Sequence, residues 1–153
     1  MSVVAWRIVK RKFARFAFSG DGARRFGGRW NSVGVPLVYT AQSQSLAALE
    51  ILVNVESAEL LEHYVAIEVV INPLLMTSIE MSTLPRNWRT DPPPARIRAI
   101  GDRWVAQGGF AVLQVPSSVI PSESNFLLNP RHPDFQKLQL GRPTAFRFDL
   151  RLT

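Results

Sequence analysis

The 153-residue chain has no cysteine, only two histidines, only three lysines and no long apolar run. Without cysteine it can form no disulfide, offer no thiol nucleophile and build no Cys-based zinc or iron–sulfur site. His63 and His132 alone are too few for a histidine-rich metal centre, so no metal is expected. No stretch approaches the ~20 apolar residues that a membrane span requires. The amino-terminal "MSVVAWRIVKRKF" meets charge at Arg7 and has no signal-peptide apolar core. These absences lead to the expectation of a cytoplasmic protein with no membrane partner.

What the chain does have is positive charge. Lys and Arg total 18 against 12 Asp and Glu, a formal net charge of +6 with a sequence pI near 10.7. All but three of the basic residues, fifteen of them, are arginine. Arginine offers a planar fork for phosphate or carboxylate, where lysine is a point charge. A basic balance favours an anionic partner: nucleic acid, a phosphorylated small molecule or an acidic protein. The 46% hydrophobic content is ordinary, and the length suits one domain with a proper core.

The pattern predicts a strand over 3–9 and a basic, Gly-rich irregular segment over 10–35, with one helical turn near Ala23–Phe26. A short β-like run follows at 36–41. A helix is predicted over 43–57, capped by Ser43 or Ser45. A strand covers 63–71 and stops at Asn72-Pro73; residues 73–94 read as loop. A second helix runs from 94 to 109, opened by prolines and closed by Gly108-Gly109. Residues 110–116 read as a strand, 117–135 as turns, and 137–140 and 145–152 as terminal strands. The last alternates Phe146, Phe148, Leu150 and Leu152 with charged residues, the period of a half-buried strand. No repeat, linker or low-complexity tract divides the chain, so residues 1–153 read as a single domain. Strands outnumber helices without regular alternation, which indicates an α+β fold and not a doubly wound sheet.

Several polar residues stand out. From Leu46 to Val55 only Glu50 and Asn54 are polar, and a four-residue spacing puts both on one helix face. That face is either an exposed strip or a carboxylate aimed into a cleft. A carboxylate in a cleft needs a cation or donors beside it to stay ionised. "GGRWN" (27–31) lacks the lysine of a P-loop and the GxGxxG spacing. Its paired glycines nevertheless allow close backbone approach, and Arg29 could clamp a phosphate; the alternative is a surface loop of solvated arginines. Tyr39 is a core aromatic or a flat face for a ligand ring. Asp102 and Arg103 in "GDRW" read as solvent-facing charges, and Trp30 and Trp104 as core. No GxSxG elbow or catalytic histidine context supports a Ser/His/Asp triad.

Taken in order, "GDGARRFGGRWNSVG…LVYT", "SLAALEILV", "GDRW" and "VLQVPSSVIPSESNFLLNPRHPDF" resemble the RES domain, from about Trp6 to the last strand. "GGRWN" together with "NFLLNPxHPDF" carries most of the specificity. The resemblance implies a mostly antiparallel, split sheet flanked by helices, as in ADP-ribosyltransferase toxins. It implies a toxin of a bacterial toxin–antitoxin pair, partnered by an Xre-type helix-turn-helix antitoxin. It also implies an enzyme that destroys NAD by hydrolysis or phosphorolysis, with NAD as substrate and no separate cofactor; some members instead transfer ADP-ribose to a protein. The family's Arg, Glu and Ser fall on Arg29, Glu50 and Ser117, with Ser118 the near rival, and Tyr39 matches the family tyrosine. Family members often carry His where this chain has Asn54.

On that footing Glu50 would stabilise the cation left when nicotinamide departs, or orient the attacking water or phosphate. Arg29 would hold NAD phosphates and keep Glu50 ionised, Tyr39 would stack on nicotinamide, and Ser117 would fix a ribose or phosphate oxygen. Asn125 is a further polar contact. Two other classes fit the charge: a basic nucleic-acid-binding protein or ribonuclease, and an interaction module with Glu50 on an exposed strip. The chain lacks an RNP-type motif, a helix-turn-helix pattern and a histidine pair for RNA cleavage.

Overall fold

Runs of Val, Ile, Leu and aromatic residues build one eight-stranded sheet, because such side chains pack well on a pleated surface. The computed structural model describes residues 1–55, 57 and 61–152. The strands are β1 (Val3–Lys10), β2 (Val38–Ala41), β3 (Tyr64–Ile71), β4 (Met76–Ser78), β5 (Val112–Pro116), β6 (Ser124–Leu128), β7 (Gln139–Leu140) and β8 (Thr144–Phe146). Their order is β4-β5-β6-β2-β1-β3-β7, with β8 also on β3. Only the β4–β5 pair is parallel, so the fold is α+β with a mostly antiparallel sheet.

Among the described residues three α-helices flank it: α1 (Asp21–Phe26), α2 (Gln44–Leu52) and α3 (Ala95–Gln107). Ser43 caps α2 by accepting a hydrogen bond from the Leu46 amide at 3.1 Å. Leu46, Ala47 and Ala48 of α2 bury against Ile8, Ala41 and Ala66 of the sheet. Gly108, at φ 65°, ends α3 in the left-handed conformation that glycine adopts without strain. On the α3 side, Trp30, Trp88, Ile97 and Trp104 pack on Leu113, Val115 and Leu127.

The structure corrects several sequence expectations. The helix expected over 43–57 stops at Leu52; residues 53 and 54 form a turn, and position 56 of the expected span lies outside the described residues. Not every apolar residue of the expected helix is buried: Leu49 of α2 and Val53 just beyond it are exposed. Residues 117–135 are not all turn: they contain β6, which lies between β2 and β5. Residues 73–94 contain β4. The strand expected over 145–152 shrinks to β8 and a 3-10 turn at Leu150–Leu152, and the one expected over 137–140 to β7. Phe148 is buried edge-on to Tyr64 and Phe146, while Leu150 is 66% exposed, so the alternation does not mark one buried face.

Candidate active site

The antiparallel order brings the end of β2, the end of β5 and the start of β6 to the same edge of the sheet. Asn125 faces Ala41 on one side and Val115 on the other. Ser117 follows β5 directly, and α2 leaves β2 after a two-residue link. Glu50, in the second turn of α2, therefore points at both. Its Oε2 accepts a hydrogen bond from Ser117 Oγ at 2.9 Å, and its Oε1 one from Asn125 Nδ2 at 2.9 Å.

Ser117 has a fixed direction. It is fully buried, and its oxygen accepts from the Val119 and Ile120 amides at 3.1 and 3.2 Å. With its acceptor capacity taken, its own proton goes to Glu50. Asn125 is likewise anchored by a 3.1 Å bond from its amide nitrogen to the Thr40 carbonyl. Burial raises the pKa of Glu50, and the donors Asn125 and Ser117 pull it back only in part. Arg29 is not an ion-pair partner of Glu50 among the described residues, so the expectation that it keeps Glu50 charged is not met; neutral donors do that work.

Glu50 opens onto a cavity of about 1270 Å³, above the usual range of roughly 300–1,000 Å³ for small-molecule sites. Arg29, Tyr39, Asn54, Ser118 and Asn125 line the same space. Ser117 holds the carboxylate of Glu50 from behind and is not part of the lining, whereas Ser118 is. Asn54 donates to the Glu50 carbonyl at 3.2 Å from its position at the rim. Arg29 donates from Nη1 to the carbonyls of Trp88 and Thr90, at 3.0 and 2.9 Å. Burial lowers its pKa.

The glycine loop is built around Tyr39. The Tyr39 hydroxyl donates to Asn31 Oδ1 at 2.5 Å and accepts from the Trp30 amide at 3.1 Å. A Cβ on Gly28 would lie 2.5 Å from that hydroxyl, so only glycine fits there. Burial raises the Tyr39 pKa well above its ordinary value and keeps the phenol neutral. Fully buried Asn31 donates to the carbonyls of Ala23 and Val35. Arg24 and Arg25 pair with Asp21, so of the three arginines in this segment only Arg29 faces the cavity without a bonded carboxylate.

Three contributors escaped the sequence reading. Arg7, on β1, lines the cavity and donates to the carbonyls of Ala17 and Tyr39, at 2.5 and 2.9 Å. It has no ion-pair partner among the described residues, and burial pushes its pKa down to about 10. Its signal was a lone charge inside an apolar strand. Asp102 is not a solvent-facing charge: it accepts from the Ser32 amide at 2.8 Å and from Ser32 Oγ at 2.5 Å. Gly101 lies so close to the Trp30 carbonyl that any Cβ would overlap it. "GDRW" therefore holds "GGRWNS" in place. In "HPDF", His132 donates from Nε2 to the Gly108 carbonyl at 2.8 Å, with Nδ1 accepting from Asp134, a scaffold role.

Among the described residues no group of three or more His, Asp or Glu could hold a metal, and no helix is long and apolar enough to cross a membrane. Residues 4–149 match the family model of the RES domain. A protein named Toxin Res from Yersinia enterocolitica serotype O:8 / biotype 1B is 38% identical over 151 residues, covering 98% of this chain and 99% of that protein. One named Prs ADP-ribosylating toxin, from Sphingobium sp. strain YBL2, is 34% identical over 157 residues, covering 99% and 98%. In the crystal structure of the M. tuberculosis MbcT–MbcA toxin–antitoxin complex, one chain matches with a TM-score of 0.76 at 19% identity, over 99% of this chain and 87% of that one, a likeness of fold.

Proposed function

Because the chain belongs to the RES domain family, we propose that it is a toxin which cleaves the nicotinamide–ribose bond of NAD. One observation carries this reading: a half-buried carboxylate, held by two neutral donors, faces a cavity whose lining also bears arginines without bonded carboxylates. NAD has the matching charge pattern, with a glycosidic carbon that turns cationic in the reaction and two phosphates further along.

Cleavage breaks the C–N bond, and the electron pair leaves with neutral nicotinamide, so no strong general acid is needed. The ribose carbon becomes oxocarbenium-like, and the Glu50 carboxylate stabilises it through space. Water or phosphate then adds to that carbon; water must lose a proton as it adds, and Glu50 accepts it, whereas phosphate attacks through an oxygen that is already ionised. Ser117 and Asn125 fix the carboxylate so that no reorganisation is required at that moment. Arg29 and Arg7 supply positive charge for the phosphates, and Tyr39 a neutral ring for nicotinamide. A protein antitoxin, of the Xre type that the family resemblance implies, would neutralise the enzyme.

A second reading has its own observation: the Sphingobium relative is named an ADP-ribosylating toxin. With a protein as acceptor the same cleavage becomes mono-ADP-ribosyl transfer. Incubation with NAD labelled in the adenylate half, with and without phosphate, separates these outcomes. Label in free ADP-ribose indicates hydrolysis, in ADP-ribose-1-phosphate phosphorolysis, and on protein transfer. Glu50→Ala is expected to lower every product roughly 10²- to 10³-fold with an unchanged circular dichroism spectrum. Wild-type NAD loss by that variant would refute the assignment.

A further inference from the structure

Arg89 and Arg98 line the same cavity as Arg29, and we infer that the three form a subsite for the diphosphate of a dinucleotide. Each guanidinium is tied down on one side by backbone. Arg29 donates to the carbonyls of Trp88 and Thr90. Arg89 donates from Nε to the Ser118 carbonyl at 2.9 Å and, at 3.5 Å, from Nη2 to that of Val119. Arg98 donates from Nη1 to the Pro93 carbonyl at 2.6 Å. Carbonyls fix the direction of a guanidinium without cancelling its charge.

None of the three has a carboxylate within ion-pair distance among the described residues. Arg89 is close enough to Arg29 to lower its basicity, so like charges are being held together. Asp91 raises Arg29 but does not bond to it, and Asp21 at the same cavity is occupied by Arg24 and Arg25. Against Asp91 alone the three arginines keep an excess of positive charge, which suits the two negative phosphates of a dinucleotide. Arginine has five N–H donors, so each keeps several for phosphate oxygens after its carbonyl bonds.

The position follows from the chain. Arg89 rests on the carbonyls of residues 118 and 119, directly after the serine that holds Glu50. Arg29 rests on the residues either side of Arg89. A diphosphate held between Arg29 and Arg89 therefore lies beside the carboxylate that would act on the attached ribose. The assignment depends on the NAD reading only for the identity of the diphosphate.

Calorimetry with inorganic pyrophosphate tests it on the full chain, beside KM and kcat for NAD. Arg89→Gln and Arg98→Gln are each expected to weaken pyrophosphate binding by roughly tenfold or more. KM for NAD should rise by a similar factor, with a smaller change in kcat. Thermal melts identify any variant that fails to fold, and Arg89→Lys, which keeps charge but loses the fork, should fall between wild type and Arg89→Gln. Pyrophosphate binding that is absent in the wild type, or equal in folded variants, overturns the subsite. If the wild type leaves NAD intact yet its pyrophosphate binding is lost in the variants, the subsite stands and the NAD reading falls.

Discussion

Glu50 is held by an alcohol and an amide, with no cation bonded to it among the described residues. Its acid–base behaviour is therefore set by burial, with a smaller push from the charge of Glu123, on one side and by two donors on the other. Burial wins, and the carboxyl titrates above its ordinary range. A donor to the charged form lowers a carboxyl pKa, so removing one raises it. Ser117→Ala is accordingly expected to move the acid limb of kcat/KM for NAD to higher pH, with a smaller loss at alkaline pH. A pH–rate profile between about pH 4 and 9 checks the direction. A limb that stays in place would mean that Ser117 does not tune the carboxylate. Glu50 was legible in the sequence because a carboxylate in an apolar helix is out of place. Its holder was less so, since a serine after "VP" looks like turn chemistry until the buried hydroxyl is seen to have one direction left. Asp102 was hidden for the opposite reason: it looks like an ordinary surface charge on a helix, and only its contacts with Ser32 show otherwise.

At the scale of elements, α3 serves as the rail on which the glycine loop rides. Gly101 admits the Trp30 carbonyl, and Asp102 takes both donors of Ser32. Gly101→Ala must push the loop away, at a cost of about 1–3 kcal/mol or more. Urea unfolding would show the loss of stability, and NAD turnover should fall with it because Arg29 sits on the displaced segment. Helix ends and the longer strands were readable from capping residues, glycines and apolar runs. β6 was not, because polar Ser124 and Asn125 open it and Asn129-Pro130 follow, so its edges read as turn. Those same polar residues belong to the site, and the demands of the site blurred the strand signal. The alternation of residues 145–152 misled in the other direction: period two describes a strand only where a neighbour exists to pair with, and β3 pairs this segment just through Phe146.

Across the whole molecule, stability should be graded along the sheet. β6 has partners on both sides and carries Leu127 and Leu128, which are fully buried. Its amides are expected to exchange with deuterium only through global unfolding, while those of residues 147–152 open locally. Native-state hydrogen exchange would show the gradient; equal protection at both places would contradict it. The charge excess now has locations: Arg24 and Arg25 share the one carboxylate of Asp21, while Arg7, Arg29, Arg89 and Arg98 collect around one cavity without bonded carboxylates among the described residues. Composition announced an anionic partner, and the fold decides which arginines remain available to meet it.

The hydrogen bonds of Glu50 also set a clock on synthesis. Arg7, Arg29, Tyr39 and Glu50 all belong to the first third of the chain, whereas both of the groups that aim Glu50 lie beyond residue 116. A nascent chain cannot assemble the site until the ribosome has released β5 and β6. On the proposed function, incomplete products of stalled or interrupted translation are then expected to leave NAD intact.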